Sequence, residues 1–227
     1  MIKRNLILTI EGNIGAGKSY LLSTLKEKLK NNKSIIFLEE PVQEFSLAKI
    51  NGNTYNPLND YYKNPAKYAF TTQAWILECY KKQLQTLHEI STENNIIIMD
   101  RGIYSTTVFI NHALQSGFIT QFGADFLRQR TQDTIHQYFG KNRPFGTDKL
   151  FYLDTPLETC LERLQQRNRP EEENLKSSHL KLLNELYNEY LVKYRQSEGR
   201  MHIERFFDQD INKIVSNCLL LLERFDT

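Results

Sequence analysis

The stretch that decides the fold lies near the start of the chain, where residues 5–19 read NLILTIEGNIGAGKS. Residues 5–10 form a short apolar run, and leucines at helical spacing follow Lys18. The pattern predicts a strand, a tight loop and a helix in direct succession. The loop satisfies G-x-x-x-x-G-K-[S/T], and the strand before it and the helix after it are the context in which that pattern binds phosphate.

A loop of this kind holds phosphate through its backbone. Glycines let N–H groups turn inward around phosphate oxygens, and the helix N-terminus adds its positive dipole end. Lys18 is expected to contact the β- and γ-phosphates, and Ser19 to ligate Mg²⁺. The residues predicted to bind ATP or another nucleoside triphosphate here are Gly12, Asn13, Ile14, Gly15, Ala16, Gly17, Lys18 and Ser19. The phosphate acceptor stays open, because GTPases, motor ATPases and small-molecule kinases all use such a loop.

Four more short apolar runs follow, at residues 34–38, 95–99, 149–153 and 201–207. Helical patterns occupy residues 66–90, 104–116, 121–139, 156–167, 176–197 and 209–224. Continuous apolar strands alternating with helices predict an α/β fold of three layers, with a five-stranded parallel sheet flanked by helices. Residues 51–65, rich in Asn and Tyr, look like a long loop. We expect a single domain over residues 1–227.

Composition excludes several classes of protein. Of 227 residues, 40% are hydrophobic and 25% charged, with a net charge of +2, so no overall attraction draws the chain to nucleic acid or membrane. The three cysteines lack C-x-x-C spacing, which argues against a disulfide framework or zinc cluster. No apolar run approaches the roughly 20 residues of a membrane span. A cytoplasmic protein is expected, and a mature mitochondrial or virus-encoded cytosolic protein is compatible with these features.

Acidic residues recur where the predicted strands end. They are Glu11, Glu40, Asp100, Asp154 and Asp208. Ligands of parallel sheets bind beyond those strand ends, so Glu40 is placed to accept a proton from a hydroxyl at the phosphate loop. Read alone, Glu40 is better explained as an exposed acid before Pro41, and the Asp100–Arg101 pair as a surface ion pair.

Five segments, in order, carry a family resemblance: EGNIGAGKS, EEPV, YKNPAKYAFTTQ, MDRGIYS and RLQQRNRPEE. The chain resembles the deoxyribonucleoside kinases over about residues 5–210. The group includes insect deoxynucleoside kinase, mitochondrial thymidine kinase, and deoxycytidine and deoxyguanosine kinases. The resemblance implies a P-loop nucleoside-kinase fold that transfers the γ-phosphate of ATP, with Mg²⁺, to the 5′-hydroxyl of a 2′-deoxynucleoside.

The resemblance also implies roles for charged residues. Glu40 would be the general base, Arg101 would contact the 5′-oxygen or phosphates, and Asp100 would join Ser19 in binding Mg²⁺. An Arg-rich lid at about residues 163–175 would bring Arg163, Arg167 and Arg169 to the transferring phosphoryl group. Read alone, that segment is equally a solvated helix end. The donor's base would lie near Asp208, Gln209 and Asp210.

The same resemblance implies a nucleoside pocket. Tyr62 and Glu172 would bind the sugar 3′-hydroxyl, and the amide of Gln73 would read the base edge. The remaining lining is Phe45, Ile76, Tyr80, Thr106, Phe109 and Ile110. Deoxycytidine and deoxyguanosine kinases carry Arg and Asp where this chain has Tyr80 and Thr106, so a preference for thymidine and deoxycytidine is expected.

One position departs from the family pattern: Gly102 follows Asp100–Arg101 where serine is usual. Its effect on the contacts of Arg101 stays open. Family members commonly form dimers, and residues 66–90 and 104–116 could supply the interface of a homodimer.

Two other functions remain as alternatives. A thymidylate-kinase-like enzyme would need an arginine near the second strand to hold the acceptor's phosphate, whereas Glu39 and Glu40 would repel it. A P-loop regulator would bind nucleotide without transferring phosphate.

Overall fold

The structure, a computed structural model, describes residues 5–92, 94–169, 175, 177–196, 202–207 and 210–223. In chain order the elements are β1 (Leu6–Gly12), α1 (Lys18–Lys28), β2 (Ile35–Leu38), α2 (Val42–Ser46), β3 (Ala48–Ile50), β4 (Asn53–Tyr55), α3 (Pro57–Lys63), α4 (Pro65–Ile90), β5 (Ile96–Asp100), a 3₁₀ turn (Ile103–Ser105), α5 (Thr106–Gln115), α6 (Gln121–Phe139), β6 (Lys149–Leu153), α7 (Leu157–Arg167), α8 (Ser177–Gln196), β7 (His202–Phe206) and α9 (Ile211–Glu223).

Five of these strands form one parallel sheet in the order β2-β5-β1-β6-β7. β1 lies at its centre, with Leu6 opposite Ile96 on one side and Leu8 opposite Lys149 on the other. The predicted five-stranded parallel sheet is therefore confirmed. β3 and β4 form a separate antiparallel hairpin.

The central strands are apolar throughout because both of their faces are covered. On β1, Leu8 and Ile10 pack in a cluster with α1, α7 and α9, while Ile7 packs in another with α4 and α6. On β6, Leu150 and Tyr152 pack with residues of α5 and α8. Alternate residues of one strand thus enter two cores, which gives the three predicted layers.

The segment from residue 51 to residue 65 is not one long loop, so that expectation was wrong. It holds β4 and the helix α3, and α4 begins at Pro65. The side-chain oxygen of Asn56 accepts the N–H of Asn59 at 3.0 Å, and that of Asn64 accepts the N–H of Lys67 at 3.2 Å. Each Asn-Pro pair is a helix start, with the Asn as cap and the Pro in the first turn.

Two predictions from the composition concern the cysteines and membrane-spanning helices. Cys79, Cys160 and Cys218 are all buried free thiols. None of the helices within the described ranges is both long and apolar enough to cross a membrane.

The helix after the phosphate loop is held to the sheet by its buried leucines, which sets a first prediction. Leu25 of α1 is fully buried. Leu25→Ala should lower the free energy of unfolding in urea by about 2–5 kcal/mol, because the cavity cannot fully collapse. Leu47→Ala removes a half-exposed side chain and is the matched control, with a loss below about 1 kcal/mol. Equal losses would show that α1 does not depend on this packing.

Candidate active site

The phosphate loop is held in shape by its own side chains. The amide nitrogen of Asn13 donates to the Leu180 carbonyl at 2.9 Å, and its Oδ1 accepts the N–H of Ile14 at 2.8 Å. Gly17, with φ of 99°, adopts a left-handed conformation that suits glycine and begins α1. Lys18 is buried, and its Nζ donates to the Asn13 carbonyl at 2.8 Å. The amine therefore lies inside the turn of the loop, where a phosphate oxygen would take over as acceptor.

Two oxygen donors suitable for Mg²⁺ meet where α1 begins and β5 ends. Ser19 Oγ donates to Asp100 Oδ2 at 2.5 Å. Asp100 is buried, and its other oxygen, Oδ1, has no hydrogen-bond partner among the described residues. Because Mg²⁺ prefers carboxylate, hydroxyl and phosphate oxygens, this hydroxyl–carboxylate pair fits the ion.

The Arg101 side chain contacts two acidic residues and two aromatic residues close to the phosphate loop. Its Nε lies 3.2 Å from Glu40 Oε1, and its Nη1 lies 3.5 Å from Glu11 Oε2 and hydrogen-bonds to the Tyr187 hydroxyl. The rings of Phe109 and Tyr187 lie 5.1 and 5.7 Å from the guanidinium carbon. The backbone of Arg101 has φ of 61°, a region that residues other than glycine seldom occupy. Such strain persists only where the surroundings enforce it.

The buried charged side chains around Arg101 have shifted pKa values. Burial raises the pKa of Glu40, although about a fifth of its side chain is exposed, and the positive charge of Arg101 opposes the rise. Burial raises the pKa of Glu11 to about 7. Burial and the neighbouring Arg101 lower the pKa of Lys18 to about 8. The main cause of all three pKa shifts is burial, because excluding water disfavours the charged form of each side chain.

A cavity opens in front of the loop, between α2, α3, α4 and α5. The predicted residues that line it are Lys18, Ser19, Glu40, Phe45, Tyr62, Gln73, Ile76, Tyr80, Arg101, Thr106, Phe109 and Arg167. Gln73 is buried, and its Oε1 has no hydrogen-bond partner within the described ranges. The cavity thus presents cations, a carboxylate, an amide and aromatic rings.

Several predicted residues lie elsewhere. Ile110 does not line the cavity: one helical step from Phe109 turns it into the core beside Tyr61 and Ala69. Arg163 contacts the backbone of the phosphate loop, where its Nη1 donates to the Ala16 carbonyl at 2.9 Å. Asp210 lies just before α9, where its Oδ1 accepts the N–H of Asn212. Glu172, Asp208 and Gln209 lie outside the described residues.

The remaining lid arginine, Arg169, lines a cleft together with Asp100 and Glu40. A separate opening of about 350 Å³ lies beside the phosphate loop, among Tyr20, Arg163, Ile211 and other residues. A larger one, of about 710 Å³, adjoins the main cavity past Tyr62 and His179 and includes neither Lys18 nor Arg101.

Three residues that line or adjoin the site were not among the predicted site residues. His179 lines the cavity, and its ring packs 3.9 Å from that of His112. Glu11 is recognisable only as an acid at a strand end, and Tyr187 only as one of the apolar positions of α8. Spacing along a helix shows that a tyrosine is buried, whereas the partner of its hydroxyl depends on the packed structure.

Gly102 is the position at which the chain departs from the family pattern. Its φ of −98° suits any residue, and a side-chain Cβ there would lie 3.3 Å from Thr9 Cγ2 and 3.4 Å from Thr9 Oγ1. Thr9 Oγ1 is buried and has no hydrogen-bond partner in the part of the chain that the structure describes.

Comparison with known proteins gives a consistent result. The family model described as "Deoxynucleoside kinase" matches residues 8–221. A deoxyguanosine kinase of Dictyostelium discoideum is 32% identical over 198 residues, which make up 87% of this chain and 62% of that protein. Mitochondrial thymidine kinase 2 of Macaca fascicularis is 28% identical, with 82% and 64% covered. The chain thus spans slightly less than two thirds of the length of these relatives.

The fold has a counterpart among solved structures. A deoxyadenosine kinase from M. mycoides superposes with a TM-score of 0.73 at 22% sequence identity, covering 96% of this chain and all of the other. The architecture is accordingly that of a P-loop kinase-like fold.

The oxygen pair at Asp100 sets a second prediction. Asp100→Asn keeps the size of the side chain and an acceptor for Ser19 but removes the negative charge. The Mg²⁺ concentration needed for tight ATP binding, measured by titration calorimetry, should rise about tenfold or more. Asp154→Asn is the matched control, because Asp154 follows β6 at the same edge of the sheet and pairs with Arg205 at 2.6 Å. An unchanged Mg²⁺ requirement in Asp100→Asn would remove Asp100 from the metal site.

Proposed function

The chain belongs to the deoxynucleoside kinase family, and from that premise we propose that it transfers the γ-phosphate of ATP to the 5′-hydroxyl of a 2′-deoxynucleoside. The observation that carries the proposal is the position of Glu40. Its carboxylate lines one cavity with the Lys18 amine, the Arg101 guanidinium and the Gln73 amide. A nucleoside whose base meets Gln73 would extend its 5′-hydroxyl toward Glu40 and the phosphate loop.

The residues divide the reaction among them. An alcohol is a weak nucleophile at neutral pH, so Glu40 accepts its proton as the new P–O bond forms. The Lys18 amine leaves the Asn13 carbonyl for the γ-phosphate, and Arg101 and Arg167 neutralise charge on the transferring oxygens. Ser19 and Asp100 would hold Mg²⁺, which when bound offsets charge on the donor's phosphates. The products are a nucleoside monophosphate and ADP.

The acceptor end supports a pyrimidine deoxynucleoside. Gln73 lines the cavity together with uncharged side chains such as Ile76, Tyr80 and Thr106. The charged side chains among the described residues of that lining, Lys18, Glu40, Arg101 and Arg167, are the ones proposed to act on the phosphates and the hydroxyl. The ring of Tyr80 lies 5.7 Å from that of Phe45 and narrows this end. Tyr62, at the other side, would pack under the sugar and contact its 3′-hydroxyl together with Glu172. Thymidine and deoxycytidine are therefore the proposed substrates.

The donor's base fits the 350 Å³ opening beside the phosphate loop. Gly17 and Arg163 border it on the phosphate side, and Leu153, Ile211 and Ile214 provide apolar contacts. Asp208, Gln209 and Asp210 precede this wall in the chain, which supports a donor-binding role for the segment.

A nucleotide kinase fits this site less well. An acceptor that already carries a phosphate would bring it against Glu40, which lines the cavity, whereas Glu39 is largely exposed and does not line it. The nearby Lys26 already pairs with Glu39 at 3.0 Å. Like-charge repulsion there favours an uncharged acceptor.

A homodimer is also proposed, through α4, as the sequence predicts, and through α6 in place of the predicted residues 104–116. Phe70, Phe122 and Phe126 expose 39%, 81% and 44% of their surface, and the rings of Phe70 and Phe126 lie 6.2 Å apart. Neighbouring exposed aromatic rings favour burial against a second copy. The three buried free thiols support a reducing compartment such as the cytoplasm.

Glu40 gives the third prediction. Glu40→Gln retains the shape of the side chain and loses its ability to accept a proton, so kcat for thymidine phosphorylation should fall about 10²–10⁴-fold with nucleoside binding retained. Glu39→Gln is the matched control, because Glu39 is largely exposed and does not line the cavity. Unchanged turnover in Glu40→Gln would exclude Glu40 as the base, and a wild-type chain that binds ATP without phosphorylating any nucleoside would favour the regulator.

The raised pKa of Glu40 gives the fourth prediction. The base must be ionised, so activity should decline as the pH falls through a pKa above the 4.5 of an ordinary glutamate. The measurement is kcat/KM against pH in the acid range. A profile that stays flat down to pH 4.5 would contradict the proposed base.

Tyr80 gives the fifth prediction. Thymidine and deoxycytidine should be turned over faster than deoxyadenosine and deoxyguanosine, and Tyr80→Met, by widening the base end, should raise the purine-to-pyrimidine ratio of kcat/KM. Tyr68→Met, on the same helix but away from the cavity, should leave the ratio unchanged. A tenfold preference of the wild type for purines would overturn the proposed specificity.

A further inference from the structure

Two fully buried side chains, Glu11 and Tyr187, contact Arg101 on the side away from the cavity. Both have an exposure of 0%, and neither is among the residues that line the cavity. They come from distant parts of the chain, the end of β1 and the middle of α8. A buried carboxylate is costly unless it is paired, so a role for Glu11 has to be sought in what it contacts.

Glu11 holds both the backbone and the side chain of the Arg101 turn. Its Oε1 accepts the N–H of Gly102 at 3.0 Å. Its Oε2 accepts the Tyr187 hydroxyl at 3.3 Å and lies 3.5 Å from Arg101 Nη1. The N–H of Arg101 itself donates to the Ile10 carbonyl at 3.0 Å. These contacts enforce the left-handed backbone of Arg101, which would otherwise relax.

Tyr187 fixes the plane of the guanidinium. Its hydroxyl hydrogen-bonds to Nη1, and its ring lies 5.7 Å from the guanidinium carbon, with Phe109 at 5.1 Å. With Nη1 engaged by Glu11 and Tyr187, the group meets Glu40 through Nε, at 3.2 Å from Oε1.

This arrangement matters for the proton acceptor. A guanidinium that is free to turn tends to form two parallel hydrogen bonds with a carboxylate, which engages both oxygens and weakens the carboxylate as a base. A single contact between Arg101 Nε and Glu40 Oε1 orients the carboxylate and leaves it able to accept a proton.

We propose that Glu11 and Tyr187 are positioning residues, which hold Arg101 so that it orients the Glu40 carboxylate while leaving it able to accept a proton. The inference rests on the proposed function, in which Glu40 is the base. A Glu11 oxygen also lies 3.5 Å from Arg101 Nη1, so Glu40 is not the sole carboxyl group beside the guanidinium among the described residues.

The test measures steady-state thymidine phosphorylation by the full chain with ATP and Mg²⁺. Tyr187→Phe removes one hydroxyl and keeps the ring, and Glu11→Gln keeps an acceptor for Gly102 and removes the charge. Both should lower kcat about tenfold or more, with KM for either substrate changed less than about threefold. Tyr190→Phe is the matched control: it is a buried tyrosine of the same helix whose ring lies 6.2 Å from that of Tyr187, and its kcat should stay within about twofold of the wild type.

A double-mutant cycle separates positioning from a general structural role. If Tyr187 acts through Arg101 on Glu40, then Tyr187→Phe introduced into Glu40→Gln should reduce the remaining kcat by less than about twofold. The full tenfold loss in that background, an unchanged kcat in Tyr187→Phe, or a loss confined to KM would each overturn the inference.

Other outcomes are also decisive. Should Glu11→Gln fail to fold, Tyr187→Phe and its cycle with Glu40→Gln decide the question alone. A wild-type chain that phosphorylates no nucleoside overturns the proposed function and this inference with it. An active wild type whose Tyr187→Phe variant is equally active overturns this inference only.

Discussion

The site depends on one interaction, a buried arginine that is shared between two carboxylates. Arg101 is 3% exposed and lies 3.5 Å from Glu11 and 3.2 Å from Glu40. Taking charges out of water is costly, and the cost is recovered only when each is paired and hydrogen-bonded. The pairing requires the end of β1, the end of β5 and the segment after β2 to meet at fixed distances, and Tyr187 of α8 adds a hydrogen bond to the same guanidinium. Much of the packing around the sheet serves that requirement.

Parallel strands explain why these groups meet at all. β1 continues into the phosphate loop, and β5 ends at Asp100, directly beside it in the sheet. Because all five strands point the same way, residues that follow them gather at one edge, far apart as they are in sequence. The cavity then forms between that edge and the helices α2 to α5, which supply its aromatic lining. In the proposed reaction, phosphate transfer and base recognition therefore rest on different elements of the fold.

What the sequence could predict follows from the range of the interactions involved. Strands buried on both faces are uniform apolar runs, and the phosphate loop is a contiguous motif, so the sheet and Lys18 were predictable from local pattern. The helix at residues 57–63 was missed because its Asn and Pro residues, typical of loops, serve here as cap and first turn. Ile110 was misplaced because adjacent helical positions face different sides, and only packing shows which side is the cavity. Tyr187 was missed because its partner, Arg101, is 86 residues away.

Gly102 and Thr9 lie side by side next to Arg101. The buried Thr9 hydroxyl lacks a hydrogen-bond partner among the described residues, and a side chain at position 102 would begin 3.4 Å from it. In the family pattern a serine stands at that position, and its hydroxyl would be within reach of the threonine. The backbone at Gly102 suits any residue, but a Cβ there would lie 3.3 Å from Thr9 Cγ2, so a serine would fit only if Thr9 moved by a few tenths of an ångström. The packing of Thr9 therefore decides which side chains position 102 can hold.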